Sequence, residues 1–306
     1  MSSRILIVGS GNTTGLNVIK ALVNKYQVIG TDCNELNPAN KFCRNYTVPR
    51  AGAPDYPEVV SEIIKKHGIT HIISTNDHDT RALLAMHDIL VARNIHHNGY
   101  CRHAESLLNK DSTYSLFCEY KINTPAKLSE KLIPFVLRKR EMGNKSKFVY
   151  IVKEEADIDL IDDEKFNEGM MTEYVDGPEF TIDVLCDDQG LALSAIPRQR
   201  LEVRGGMVWH GRVVCEEALI EQVKQICAKL RLSGIMCMQC IKRKTGDYAF
   251  IEINPRVGSG IDLSVHAGCN LPEMWVKLTV GEQIEIPSPQ WGTEMIRYNS
   301  AYYFHG

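Results

Sequence analysis

Over the first hundred residues, short apolar runs alternate with segments whose apolar positions recur at helical spacing. Ile5-Leu6-Ile7-Val8, Gln27-Val28-Ile29-Gly30 and His71-Ile72-Ile73-Ser74 are brief, apolar and bounded by glycine or polar residues, which predicts buried strands. Between them Val18, Ala21 and Leu22 mark one helix. Pro57 opens a second that carries Val59, Val60, Ile63 and Ile64 and closes at Gly68. This order predicts a parallel, doubly wound sheet. Past about residue 101 the rhythm changes. The pattern predicts one helix over 105–120, stopped by Thr124-Pro125, then strands at 133–138 and 148–152 around a polar stretch, and an acidic, exposed segment over 154–168. Strands then dominate, at 171–175, 179–186, 192–196 and 199–203. A helix over 217–230 puts Leu219, Val223, Ile226 and Leu230 on one face. Strands at 236–241 and 248–253, helices around Leu263 and Trp275, and a last strand at 295–298 complete the chain.

The fold class is therefore α/β, a Rossmann-like N-terminal domain followed by an α+β domain in two lobes. Composition agrees: 306 residues, 44% hydrophobic and 24% charged, are ordinary for a folded globular protein of about two domains. The 35 basic and 38 acidic residues nearly cancel, which argues against a dedicated nucleic-acid binder. No apolar run reaches membrane-spanning length and no signal-peptide core opens the chain, so a cytoplasmic protein with no membrane partner is expected. Ten cysteines without repeated spacing read as reduced thiols. Cys237 and Cys240 form a lone CxxC on a strand, where residues three apart face opposite ways and cannot chelate one ion.

Two constellations carry chemistry. Gly9-x-Gly11-x-x-x-Gly15 follows a strand and opens a helix, with Asp32 ending the next strand. That is close to a dinucleotide fingerprint, though its last gap is three residues rather than two. The second is Phe250-Ile251-Glu252-Ile253-Asn254-Pro255-Arg256. Strand alternation places Phe250, Glu252 and Asn254 on one face, with Ile251 and Ile253 on the other. Two oxygen ligands so spaced suit Mg²⁺, and Gln239 joins them if its strand is adjacent. Arg256 lies just beyond and is suited to clamp a phosphoryl group. Glu179, Thr181 and Asp183 share another strand face, as do Arg198, Arg200, Glu202 and Arg204.

From Phe250 through Gly260 the sequence resembles the signature of the ATP-grasp superfamily, closest to carbamoyl phosphate synthetase large-subunit domains, biotin carboxylase and the small carboxylate-amine ligases. The resemblance runs over nearly the whole chain. It implies a pre-ATP-grasp domain over 1–103 and an ATP-grasp domain over 104–306, with a small lid lobe at about 126–172 and a C-terminal lobe at about 173–306. It implies ATP contacts at Lys110, at Arg138 or Lys139, at Glu173 and Val175 for the base, and at Glu179 for the ribose. Gln239, Glu252 and Asn254 match the family's metal ligands, for Mg²⁺ with Mn²⁺ as the alternative. Most relatives have Lys-Pro where this chain has Arg138-Lys139, so which of the two meets phosphate stays open. The phosphate-covering loop, Gly143-Asn144-Lys145-Ser146-Lys147, holds a single glycine where relatives are glycine-rich. The resemblance also implies that the glycine turn at Gly9 holds no dinucleotide.

The implied reaction is ATP-dependent ligation of a small carboxylate to an amine through an acyl phosphate. Arg256 would stabilise the transferred phosphoryl group, Arg204 would orient the acid, and Arg198 and Arg200 face the substrate. Asp77, just after the third strand, either meets a substrate ammonium or caps a helix. Two other readings stand beside this one: a nucleotide-binding protein of the same fold without catalysis, and an NAD(P)-dependent oxidoreductase. A homodimer stays open.

Overall fold

The computed structural model describes residues 3–140 and 148–304. The first unit runs β1 (Arg4–Val8), α1 (Thr13–Leu22), β2 (Gln27–Asp32), β3 (Arg44–Thr47), α2 (Tyr56–His67), β4 (His71–Ser74), α3 (Asp77–Ala85), α4 (His87–Ala92) and β5 (His96–His97). Its five strands lie in the order β3-β2-β1-β4-β5 and pair in parallel, as the apolar runs predict. β3 and β5 were not expected; both are edge strands with too few apolar residues to mark a run. The strand order reverses between β1 and β4, so the loops after these two strands open on the crevice where such sheets bind ligands.

Next come α5 (Ala104–Leu107) and α6 (Lys110–Glu119), where a single helix was expected. The break is local: the Asn109 side chain accepts from the Ser112 N–H at 3.0 Å, capping a new helix with Lys110 in its first turn. A small antiparallel sheet follows, made of β6 (Phe135–Lys139), β7 (Val149–Val152) and β8 (Gly169–Glu173) in the order β7-β6-β8. α7 (Glu155–Ile158) and α8 (Asp163–Glu168) occupy the acidic segment, and Ile158, Ile161 and Phe166 pack on Phe135, Leu137 and Val152.

The remainder is a six-stranded antiparallel sheet of β9 (Glu179–Cys186), β10 (Ala192–Arg204), β11 (Met207–Val213), β12 (Gly234–Lys242), β13 (Tyr248–Asn254) and β14 (Glu294–Ile296), with α9 (Glu217–Leu230), α10 (Ile261–His266) and α11 (Leu271–Thr279). Its order is β13-β12-β9-β10-β11-β14. The two strands expected around Pro197 are one. The proline lies past the end of β11, and its carbonyl still accepts from the Val214 N–H at 3.0 Å.

Alternation sorts the faces of this sheet. Phe180, Ile182 and Val184 of β9, with Met236, Met238 and Cys240 of β12, face α9 and α6. On the opposite face Leu185, Ile196 and Ile235 join a core shared with α10, α11 and Ile5, Ile7, Val18 and Ile19 of the first unit. That shared core seats the first unit on the large sheet, next to the cleft. No helix among the described residues is long and apolar enough to cross a membrane.

Candidate active site

The cleft face of the large sheet carries one polar row straight across four strands. Glu252 on β13 stands opposite Gln239 on β12, Gln239 opposite Thr181 on β9, and Thr181 opposite Arg198 on β10. The strands of Gln239 and Glu252 are thus neighbours. A register shift at Ile251 corrects the face expected for Phe250. Cys240 pairs with Phe250 directly after Gln239 pairs with Glu252, so Ile251 is an extra residue. Phe250 and Ile253 both turn into the α9 core, leaving Glu252 and Asn254 on the cleft side.

The bulge also supplies a contact. The Ile251 carbonyl accepts from Arg138 Nη1 at 3.3 Å. Arg138 is 5% exposed and its Nε has no partner among the described residues. Burial lowers its pKa and Glu252 opposes that shift. Lys139, the other candidate for this position, is corrected by alternation on β6. It lies on the face of Phe135 and Leu137, where its ammonium pairs with Glu168 of α8 at 3.2 Å, away from the cleft.

Arg256 reaches across to the first unit, where its Nε donates to Asp77 Oδ1 at 2.5 Å. Its Nη2 donates to Asn254 Oδ1 at 3.3 Å, and Asn254 Nδ2 donates to Glu252 Oε1 at 2.8 Å. Burial alone would raise the Asp77 pKa, but Arg256 outweighs it and holds the carboxyl below its ordinary value. Asp77 does not cap α3. That role belongs to Asn76, whose Oδ1 accepts from the Asp79 N–H at 2.9 Å. Lys110, at the start of α6, lies close enough to Asp77 to lower its pKa further.

The arginine row on β10 divides. Arg198 is withdrawn from any substrate role: it is 2% exposed and locked to Asp183 through Nε at 2.7 Å and Nη2 at 2.9 Å. Arg200 stays at the cleft, with Nε 3.1 Å from Glu179 and Nη1 donating to Thr181 Oγ1 at 3.3 Å. Burial pushes the Glu179 carboxyl pKa up, and Arg200 opposes it. Register shifts after Arg200 and Glu202 break the shared face, so Arg204 is an exposed residue held by Glu202 at 2.7 Å and stacked on Trp209.

Between the small and large sheets runs a crosspiece of residues 173–178. Glu173 Oε1 accepts from the Ala126 N–H at 3.0 Å and from Arg243, which lowers its pKa. Val175 is buried, and a side chain at Gly177 would overlap the Lys242 carbonyl. Arg243 gave no sequence signal beyond a charged turn, Lys242-Arg243-Lys244.

At the N-terminal glycine turn, the Gly11 N–H donates to Asp32 Oδ2 at 3.0 Å. Asn37 covers Gly11, and Asn76, Asp79 and Thr75 crowd Gly9. The amide and carboxylate that a dinucleotide would use are therefore spent on each other. The third glycine is needed for packing, since a side chain at Gly15 would strike the Gly9 carbonyl at 2.5 Å.

Family models match two segments. Residues 165–301 fit the family described as ATP-grasp in the biosynthetic pathway with Ter operon, and residues 5–96 fit the PylC-like N-terminal domain. Over residues 165–301, a little under half of its length, the chain is thus similar to an ATP-grasp family. No curated protein sequence matches it. Solved ATP-grasp structures share the fold across both segments. The ADP complex of PurK, an N5-carboxyaminoimidazole ribonucleotide synthetase, gives a TM-score of 0.76 at 14% identity over 94% of this chain and 80% of its own. The biotin carboxylase domain of Hydrogenobacter thermophilus 2-oxoglutarate carboxylase, with MgADP, ADP and bicarbonate, gives 0.71 at 15% over 96% and 73%. An L-amino acid ligase from Bacillus licheniformis gives 0.68 at 17% over 92% and 75%. At such identities the likeness is one of fold.

Against that ATP-grasp frame, the cleft gathers Arg138, Gln239, Glu252, Asn254 and Arg256, with Asp77 and Lys110 on its other wall. Glu173, Val175 and Glu179 line the crosspiece end. The expected phosphate loop, Gly143-Asn144-Lys145-Ser146-Lys147, lies outside the described residues.

Proposed function

We propose that the protein is an ATP-dependent ligase that joins a small carboxylate to an amine through an acyl phosphate. The observation that carries this reading is the convergence of Arg138, Glu252, Asn254 and Arg256 on one cleft, with a buried Arg138 nitrogen that finds no acceptor among the described residues. A buried donor without an acceptor is costly, and a phosphate oxygen would satisfy it. ATP lies with its base at Glu173 and the Val175 backbone, its ribose at Glu179, and its phosphates toward Arg138 and Lys110.

The donor set fits a hard cation: one carboxylate from Glu252 and amide oxygens from Gln239 and Asn254. Those three residues would hold Mg²⁺, or Mn²⁺ by the same chemistry. Asn254 now donates to Glu252, so its amide must turn over to present oxygen there. One carboxylate with two amide oxygens is in keeping with Mg²⁺, which keeps several waters and commonly binds through one or two carboxylates together with substrate phosphates. When bound, the ion neutralises charge on the phosphate oxygens.

The chain's own residues do the rest by positioning. Arg256 stabilises charge on the phosphoryl group as a substrate carboxylate attacks it. Asp77, its resting partner, is freed as that guanidinium turns to phosphate, and then faces an incoming ammonium. Arg200 holds Glu179 in place, whereas Arg204, turned out of the row and held by Glu202, is withdrawn from orienting the acid. No covalent enzyme intermediate is required. The domains are taken as 1–103 and 104–306, with the lid lobe at about 126–172.

The test is ADP release across panels of amino acids and small carboxylates, for wild type and Glu252→Ala. Release that needs Mg²⁺ and substrate is expected in wild type, and none in the variant, whose melting temperature stays unchanged. Mg²⁺-dependent release retained by Glu252→Ala would overturn the assignment. ATP binding without release for any pair would point instead to a nucleotide-binding protein without catalysis.

A further inference from the structure

Arg198 is too deeply buried to bind substrate, yet its surroundings give it a different task. Its two bonds to Asp183 are joined by a third: Ser264 of α10 donates Oγ to Asp183 Oδ2 at 2.6 Å. Asp183 is 1% exposed and Ser264 is fully buried. A buried ion pair gives little net stability over apolar packing, so its structural consequence matters more here than its energy. That consequence is the turn that follows Arg256. Gly260 lies directly on the guanidinium, where any side chain would overlap Arg198 Nη1. A side chain at Gly258 would come within 3.1 Å of Cys237 Sγ and 3.5 Å of Arg198 Nη2. Between the two glycines, the Ser259 carbonyl accepts from Asn17 Nδ2 at 3.2 Å and from Arg297 Nη2 at 2.8 Å. The turn is thus pressed on a planar cation from below and held by donors from α1 and from the segment after β14.

We propose that Asp183, Arg198 and Ser264 form a positioning platform that fixes the backbone of residues 255–260 and so sets the aim of Arg256; this rests on the ligase reading above. Asp77 holds the Arg256 side chain only while no phosphoryl group competes for it. Once that contact is exchanged, the aim of the arginine depends on its backbone, which the platform supports from below while Asn17 and Arg297 hold the Ser259 carbonyl. Displacements near 1 Å at such a group cost on the order of a hundredfold in rate. Lysine at position 198 would keep the charge but lose both the plane on which Gly260 rests and the two-pronged bond to Asp183.

The test compares Arg198→Lys, Gly260→Ala and Ser264→Ala with wild type in two readouts. In steady-state ADP release, kcat falls at least tenfold for Arg198→Lys and Gly260→Ala while KM for ATP stays within twofold, because the groups assigned to nucleotide lie elsewhere. Ser264→Ala, which loses only a hydroxyl, shows a smaller drop of the same kind. In hydrogen exchange without substrate, amides of residues 255–262 exchange at least tenfold faster in the first two variants, with β9 and β12 unchanged. Folded variants with wild-type kcat and wild-type exchange over 255–262 would overturn the platform. If wild type itself releases no ADP with any substrate, the ligase reading falls and the exchange data still decide whether the platform holds the turn.

Discussion

Replacing Arg138 by methionine separates the energetics of the empty protein from those of the nucleotide complex. The side chain is 5% exposed and, among the described residues, makes one bond to the Ile251 carbonyl at 3.3 Å and leaves Nε without an acceptor. Swapping buried ionic groups for apolar ones of similar volume is commonly neutral or stabilising by about 1–4 kcal/mol. With a shift of roughly 2 °C per kcal/mol for a chain of this size, Arg138→Met without nucleotide should melt between 0 and about 8 °C above wild type. Nucleotide should reverse the ranking. Two lost charge-assisted bonds to phosphate, together about 3 kcal/mol, weaken ATP binding about 100-fold. At an ATP concentration about 100 times the wild-type Kd, wild type gains about 2.7 kcal/mol, whereas the variant, now at its own Kd, gains about 0.4 kcal/mol. Thermal melts with and without MgATP measure both quantities. Lys139→Met, which removes only the exposed pair with Glu168, should leave both near wild type. An Arg138→Met protein that melts below wild type without nucleotide, or keeps the full ATP shift, would refute the argument.

Two further outcomes follow from carboxyl groups beside the cleft. Asp77→Asn leaves the Arg256 guanidinium without its carboxylate and should destabilise the protein by about 2 kcal/mol at neutral pH, read by urea unfolding. Arg256 holds the Asp77 pKa down despite burial, so the stability it contributes is present above the unfolded value near 3.9 and is lost as pH falls through the lower folded value. The difference between wild type and Asp77→Asn should therefore shrink in acid, and a difference independent of pH would count against the ion pair. Asp79 has the opposite sign. Burial raises its carboxyl pKa, so the fold loses stability as pH rises from near 3.9 to the raised folded value. Asp79→Asn should flatten that decline, and an unaltered pH profile would show that Asp79 does not titrate there.

Periodicity made most of the strands legible because burial on a given face enforces it. Glu179, Thr181 and Asp183 share the cleft face of β9 as alternation requires, and Cys237 and Cys240 fall on opposite faces of β12. What alternation could not show is where the count slips. The extra residue at Ile251 turns Phe250 inward, and the irregularities after Arg200 separate Arg204 from its row. Both depend on the partner strand. β11 was missed because Gly205-Gly206 reads as the end of a strand, whereas it forms the turn of a hairpin. The split at Asn109 was in principle readable, since an asparagine one residue before a helix start is a strong cap.

Charge pairing was the least legible feature, and it changes how the cleft must work. A sequence reading gathers Lys110, Arg138, Arg198, Arg200, Arg204 and Arg256 as cations awaiting phosphate. In the folded chain four of them already hold a carboxylate: Arg198 with Asp183, Arg200 with Glu179, Arg204 with Glu202, and Arg256 with Asp77. Among the described residues, only Arg138 and Lys110 of this set have no acid within ion-pair distance. The resting cleft is thus nearly balanced, which spares it the repulsion that six converging cations would create. It also implies exchange. An anion can recruit Arg138 and Lys110 directly, but it reaches Arg256 only by displacing Asp77, which then needs a cation of its own. A substrate pair that brings both phosphate and ammonium satisfies the two partners together, whereas either alone leaves one charge unpaired.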